Sequence, residues 1–204
     1  MRKITFKTVE KWIRQSQKPL KDKSLEAFQE EYFGENKHAH YRFFYYLVKQ
    51  MKPKLAVELG IDHGHTIVQM AAANSETTVI GIDIRMQCAD PRHREYANCQ
   101  VYYLPSQDTE DLISTFSEKY GKIGVVFQDS SHHYYESKIE FGIYSKYLDK
   151  NAIWVCDDIT PDFHDPNIDP PGLGMVEYFD ELPGQKKIYD DLHYGTKVGV
   201  CLIP

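Results

Sequence analysis

Apolar and polar positions change rhythm several times along this chain, and each change predicts an element. Tyr41, Phe44, Tyr45, Val48 and Met51 recur at helical spacing, and Pro53 ends that helix because proline supplies no N–H and crowds the preceding turn. Next, "KLAVELG" is an unbroken apolar run of the kind buried on both faces of a sheet. Gly60 to Gly64 is a loop, and "HTIVQMAAAN" returns to helix. "TVIGIDI" predicts a second strand, "PRHREYAN" a short helix and "QVYYL" a third strand. "DTEDLISTFSEKYG" predicts a helix with Asp108 at its N-cap and Gly121 past its end. "IGVVFQD" is the fourth strand, residues 135–147 a helix, "AIWVCD" the fifth strand and "LGMVEYFDEL" a helix, with "KKIYD" and "KVGVCLI" as the last two strands.

Strands alternating with helices predict a doubly wound, Rossmann-like α/β fold: seven strands, mostly parallel, in a three-layer α/β/α sandwich. The last strand is expected antiparallel, because the link "DLHYGT" is too short for a parallel crossover. Ligands of such folds bind at the carboxyl ends of the strands, where the strand order reverses.

Composition narrows this picture. A chain of 204 residues with 42% hydrophobic and 26% charged positions has enough apolar material for one well-filled core. The start, "MRKITFKTVEKW", has charges spread through it, and no stretch of about 18 apolar residues occurs, so neither secretion nor membrane spanning is expected. Cys88, Cys99, Cys156 and Cys201 lack C-x-x-C spacing, which suits a reducing compartment and a cytoplasmic location. Residues 1–24 hold eight Lys and Arg against two acids, so they carry +6 while the remainder carries −12 of the net −6. This divides the chain into a basic helical appendage, residues 1–39, and a main domain, residues 40–204. Bulk charge gives no support for nucleic-acid binding, and a homo-oligomer is compatible with the composition.

The first candidate site is "VELGIDHGHT", between the first strand and its helix. Position points to a nucleotide-type ligand, but the residues point away from a pyrophosphate. Asp62 would repel one, and Glu58 adds a second negative charge beside the loop glycines Gly60 and Gly64. A ligand with a cationic part fits better. S-adenosylmethionine meets that requirement: its ammonium pairs with Glu58, and its carboxylate takes N–H groups of the loop and the helix start near Thr66. Asp83, ending the second strand, stands where an acid accepts ribose hydroxyls, and Asp108 is placed to meet the adenine amine.

"AVELGIDHGHT", "VIGIDI", "VVFQDSSHHYYE" and "AIWVCDDI" together resemble class I S-adenosylmethionine-dependent methyltransferases. The nearer likeness is to the metal-dependent O-methyltransferases of the cephalosporin hydroxylase and macrocin O-methyltransferase group, in which D-G-S-H-x-Y ends the fourth strand and an acidic pair ends the fifth. The resemblance covers roughly residues 40–204 and implies a methyltransferase domain there. Three positions depart from the pattern: Ser130 replaces a glycine, Asp157 replaces a frequent Glu, and Asp62 replaces a glycine common in the wider class.

Adjacent strand ends would bring Asp129 together with Asp157 and Asp158. Three carboxylates repel unless a cation joins them, and an all-oxygen set suits Mg²⁺ better than zinc. The resemblance implies the same three metal positions, with Asp129 also near the donor, and His132 in the register of the family's base. His133 is the rival for that role, since either imidazole titrates near neutrality. His164, Asp162, Asp165 and Asp169 lie in a polar loop expected at the substrate rim, and "HYRFFYYLV" offers aromatic walls or, more in keeping with its spacing, core.

The function expected is Mg²⁺-dependent methyl transfer to a hydroxyl of a sugar, glycoside or phenolic. Alternatives are a metal-independent methyltransferase on another acceptor, a non-catalytic S-adenosylmethionine-binding module, and an NAD-dependent oxidoreductase, against which Asp62 weighs.

Overall fold

The structure, a computed structural model, describes residues 3–33, 39–85, 91–160, 169, 171–193 and 196–204. Three helices come first: α1 (Phe6–Ser16), α2 (Lys23–Phe33) and α3 (Ala39–Met51). Then follow β1 (Leu55–Leu59), α4 (His65–Ala73), β2 (Thr78–Asp83), β3 (Cys99–Tyr103), α5 (Glu110–Tyr120), β4 (Ile123–Gln128) and α6 (Tyr134–Tyr144). The chain ends with β5 (Leu148–Cys156), α7 (Met175–Glu181), β6 (Gln185–His193) and β7 (Thr196–Leu202).

The seven strands form one sheet in the order β3-β2-β1-β4-β5-β7-β6. Pairings from β3 through β5 are parallel, and β7 runs antiparallel to both β5 and β6, as expected. Successive side chains of a strand point to opposite faces, and β1 shows the consequence. Ala56 packs into one buried cluster with α1, α3 and α4, while Leu55, Val57 and Leu59 pack into another with α5, α6 and α7. A strand that must satisfy two cores reads as a continuous apolar run.

The basic N-terminal segment contributes to the first cluster. Val9, Trp12 and Ile13 of α1 and Leu25 and Phe28 of α2 are buried there beside Phe43, Phe44 and Leu47 of α3. Glu26 joins the helices: it accepts from Arg42 Nε at 2.9 Å, pairs with Arg42 Nη2, and takes the Leu20 N–H at 2.6 Å. A buried pair with its remaining lone pairs occupied locks geometry, and losing one partner would strand a charge.

Two local expectations change. Ser106–Asp108 forms a 3₁₀ turn, so Thr109, not Asp108, stands at the start of α5; the Thr109 hydroxyl donates back to Ser106 O at 2.7 Å. "PRHRE" is also a 3₁₀ turn, Pro91–Glu95. Gly121 does end α5, with φ of 110° and its N–H on Ser117 O at 3.0 Å. Among the described residues, no helix is long and apolar enough to cross a membrane.

Candidate active site

The sheet reverses direction of growth at β1, which has β2 on one side and β4 on the other. Three backbone bonds continue the ladder past the strand ends: Gly60 N–H to Ile82 O at 2.9 Å, Asp129 N–H to Leu59 O at 2.8 Å and Asp157 N–H to Gln128 O at 3.0 Å. Each places the first residue after one strand beside its neighbour. The acids are assembled by this registry of the main chain.

The donor side is built around Gly60. Its φ is +80°, and a Cβ there would sit 2.0 Å from the Asp129 carbonyl oxygen, so only glycine lets the loop lie against the end of β4. Asp83 then fastens the loop: its Oδ2 accepts N–H groups of Ile61 at 2.7 Å and Asp62 at 3.1 Å, and its Oδ1 accepts that of Arg85 at 2.7 Å. Asp62 adopts a left-handed backbone, φ 44°, and Gly64 (φ 79°) leads into α4 with Thr66 buried in the first turn. Glu58 lies beneath, 2% exposed, and its Oε2 has no hydrogen-bond partner among the described residues. Burial first, then the charges of Asp129 and Asp83, push its carboxyl well above the usual range. An orphaned buried carboxylate oxygen is the feature a cationic ligand group would satisfy.

A cavity of about 240 Å³ opens along this edge, lined by Gly60, Asp62, Asp83, Arg85 and Asp129, with Ile82 and Ile84, and by Pro105, Ser106, Gln107, Ser130, Ser131, Glu136 and Glu140. Of the predicted donor residues, Glu58, Gly64, Thr66 and Asp108 are not in its lining; for Asp108, the two residues before it, Ser106 and Gln107, face the cavity instead. Glu140 was not foreseen. It is fully buried on α6 and accepts from Gln128 Nε2 at 2.6 Å, from Ser130 Oγ at 2.8 Å and from the Ser106 hydroxyl. Burial raises its carboxyl, opposed by those three donors. Helical periodicity gives no sign of it, since a buried acid on a helix looks like a surface acid until its partners are known.

On the other side, His132 stands between two strand ends. Its Nε2 is 3.0 Å from Asp129 Oδ1 and its Nδ1 3.1 Å from Asp158 Oδ2. Two ring nitrogens facing two carboxyl groups require a proton in each contact, both on the ring or one on the ring and one on a carboxyl. Burial alone would lower the His132 pKa; Asp129, Asp158 and Asp157 outweigh it, and the net direction is up. Asp129 is likewise raised, by burial first and then by Asp157, with His132 opposing. Its side chain keeps 31% exposure, so the like-charged neighbour is the firmer part of that cause. His132 (φ 57°) and Asp158 (φ 54°) both have left-handed backbones, a strained state for such residues that collects at functional sites.

His133 faces elsewhere: its Nδ1 is 3.2 Å from Asp169 Oδ2, while Asp169 Oδ1 accepts the Tyr134 N–H at 2.7 Å and so closes the start of α6. Tyr41, from the aromatic stretch of α3, is buried against the rings of His40 and His65, and its phenol is raised by burial and then by the charges of Asp129, Asp157, Glu58 and Asp62. His164, Asp162 and Asp165 lie outside the described residues.

Asp129, Asp157 and Asp158 thus reach one edge, with Asp157 buried. Among the described residues, no three His, Cys, Asp or Glu side chains are drawn into a ligand set, and the imidazole of His132 lies between Asp129 and Asp158. The three carboxyl groups are ligands of the kind a hard divalent cation takes, and such an ion would displace the His132 imidazole from between Asp129 and Asp158.

Sheet order, glycine loop and strand-end acids define a class I methyltransferase. Residues 57–159 match the family model described as a methyltransferase domain, and the chain belongs to that family. Comparison with curated protein sequences gives no match. Among solved structures, an O-methyltransferase from Bacillus cereus in complex with SAH is similar at 17% identity and TM-score 0.65, over 95% of this chain and 99% of that one. The SAH-bound methyltransferase PaMTH1 of Podospora anserina is similar at 12% identity and TM-score 0.67, over 98% and 95%. MycE of the mycinamycin biosynthetic pathway, in complex with Mg, SAH and mycinamycin VI, is similar at 16% identity and TM-score 0.59, over 92% of this chain but 54% of MycE. At such identities the likeness is one of fold.

Proposed function

We propose that this protein transfers the methyl group of S-adenosylmethionine to a hydroxyl of a small molecule, of the sugar, glycoside or phenolic kind, in a Mg²⁺-dependent reaction. The observation that carries the reading is the His132 imidazole held at 3.0 and 3.1 Å between Asp129 and Asp158, with Asp129 also lining the acid-rich cavity.

Glu58 would take the donor's ammonium, the Gly60–Gly64 loop its carboxylate, and Asp83 its ribose hydroxyls. Asp129, Asp157 and Asp158 would hold the divalent ion, whose chemistry there is Lewis-acid polarisation of the acceptor hydroxyl. His132 accepts the proton as an oxygen lone pair bonds to the methyl carbon and the carbon–sulfur bond breaks, leaving S-adenosylhomocysteine. To act as a base, His132 must present a proton-free ring nitrogen, and an ion on Asp129 and Asp158 would take the place of the ring's present contacts with them. No covalent enzyme intermediate is needed, because the sulfonium is already activated and alignment alone lowers the barrier.

A second reading has its own support. With no three-ligand set among the described residues, the same imidazole, oriented by two carboxylates, can serve as the base in a metal-independent transfer. The deciding assay follows labelled methyl transfer to a panel of hydroxylated acceptors, with Mg²⁺ or with EDTA, for wild type and Asp158→Ala. Loss of turnover in EDTA and in the variant is expected. Full turnover in EDTA moves the conclusion to the second reading, and tight donor binding with no acceptance by any acceptor contradicts both.

A further inference from the structure

One wall of the cavity has a hydrogen-bond polarity that can be traced outward from the core. Trp154 Nε1 can only donate, and it donates to Gln128 Oε1 at 3.0 Å; the Tyr178 hydroxyl donates to the same oxygen at 2.7 Å. Gln128 is thereby fixed in one orientation, with its amide nitrogen turned to Glu140 Oε2 at 2.6 Å and to Ser137 O at 3.2 Å. Glu140 must therefore accept at Oε2, where Ser130 Oγ also donates at 2.8 Å, and Ser106 donates to Oε1. Ser106 and Ser130 both line the cavity. A hydroxyl has one proton, and each of these serines has given its proton to Glu140.

We propose that Glu140 sets the ligand polarity of this wall. With their protons committed to Glu140, Ser106 and Ser130 offer only lone pairs to the cavity, so this pair of hydroxyls favours a purine bearing an exocyclic amine over one bearing a carbonyl there, whereas Gln107 and Ser131 in the same lining can also donate. Glu140 is thus a specificity-determining positioning residue that acts through the two serines. The inference rests on reading the cavity as the nucleoside site of the donor. Asp83 ends β2 and Ser106 follows β3, the next strand outward, so a ribose at Asp83 carries its base toward this wall.

The test is calorimetric binding of S-adenosylhomocysteine and of its hypoxanthine counterpart, S-inosylhomocysteine, to the full chain. Wild type is expected to bind the adenine form about tenfold more tightly, the worth of one well-placed hydrogen bond gained against one lone-pair clash avoided. In Glu140→Gln, Gln128 still needs an acceptor, so the new amide must turn its N–H₂ group toward Ser106, whose hydroxyl is then released to donate into the cavity. The preference should shrink to within about twofold. Ser106→Ala leaves Glu140 and Ser130 in place and should lose roughly half of the preference on a logarithmic scale. Equal affinity of wild type for the two ligands overturns the polarity assignment and leaves the donor reading intact. Wild type binding neither ligand overturns both. A folded Glu140→Gln protein, judged by thermal unfolding, that keeps the wild-type preference also overturns it. Should that variant not fold, an unchanged preference in Ser106→Ala does the same.

Discussion

Asp83 and Asp129 lie on the same edge of one sheet, on either side of β1, and the chain treats them in opposite ways. On the donor side, Asp83 accepts three backbone N–H groups and Glu140 accepts three side-chain donors. Those charges are neutralised by neutral dipoles that belong to rigid elements. On the acceptor side, Asp129 and Asp158 share an imidazole carried by a residue with a strained backbone. A cation on a rotatable side chain can leave; a backbone amide cannot. On the proposed reading, the donor half keeps one shape, whereas the acid end of β4 and β5 would exchange the imidazole between its carboxyl groups for a metal ion.

The contrast breaks most sharply at His132. Its replacement by Ala should reduce turnover by about 10²- to 10⁴-fold, the usual worth of a general base, while calorimetry with S-adenosylhomocysteine finds donor affinity within about twofold of wild type. An equal loss of both would mean that the two halves are one unit. Gly60→Ala tests the opposite half. The added Cβ meets the Asp129 carbonyl at a φ that L residues avoid, so unfolding should show a loss of at least about 2 kcal/mol together with weakened donor binding.

Glu58→Gln should separate stability from binding. Its carboxyl is raised in the folded state, so protonation favours folding: the wild-type contribution is fully present below the unfolded-state value of 4.5 and is lost as pH rises toward the folded-state value. The amide variant should gain about 1 kcal/mol at pH 7 and little at about pH 4, seen as a Tm difference that closes in acid. Donor affinity should fall, because the ammonium loses its partner. The smallest effect is expected at His133, whose contact is with Asp169 rather than with the strand-end acids. His133→Ala should cost less than about tenfold in turnover, and a loss matching that of His132→Ala would reassign the base.

How much of this could be read before the structure depends on which forces left a periodic trace. The runs "LAVEL", "TVIGID" and "IGVVFQ" are buried on both faces and announced themselves as parallel strands, and the link before β7 announced its antiparallel direction. Acids at the ends of such runs followed from the fold. Asp108 did not, because a 3₁₀ turn moved the helix start by one residue and turned Ser106 and Gln107 to the cavity. Nor did Glu140: α6 buries Tyr134, Ser137, Glu140, Ile143 and Tyr144, and a polar residue held on such a face by long-range hydrogen bonds leaves no hydrophobic signal of its own. Motif register favoured His132 over His133, but their surroundings were not legible: a left-handed backbone at His132 and, for His133, an acid 36 residues further along the chain.

The exchangeable cation is the part of the account on which the chemistry turns. It is tested by titrating Mg²⁺ into protein saturated with S-adenosylhomocysteine, with Asp129→Asn as control and imidazole resonances of His132 followed in parallel. One ion per chain should bind, the control should bind none, and the His132 signals should move as the imidazole gives up its place between Asp129 and Asp158. No uptake at millimolar Mg²⁺ and unmoved His132 signals, in a protein that still transfers methyl groups in EDTA, would contradict it.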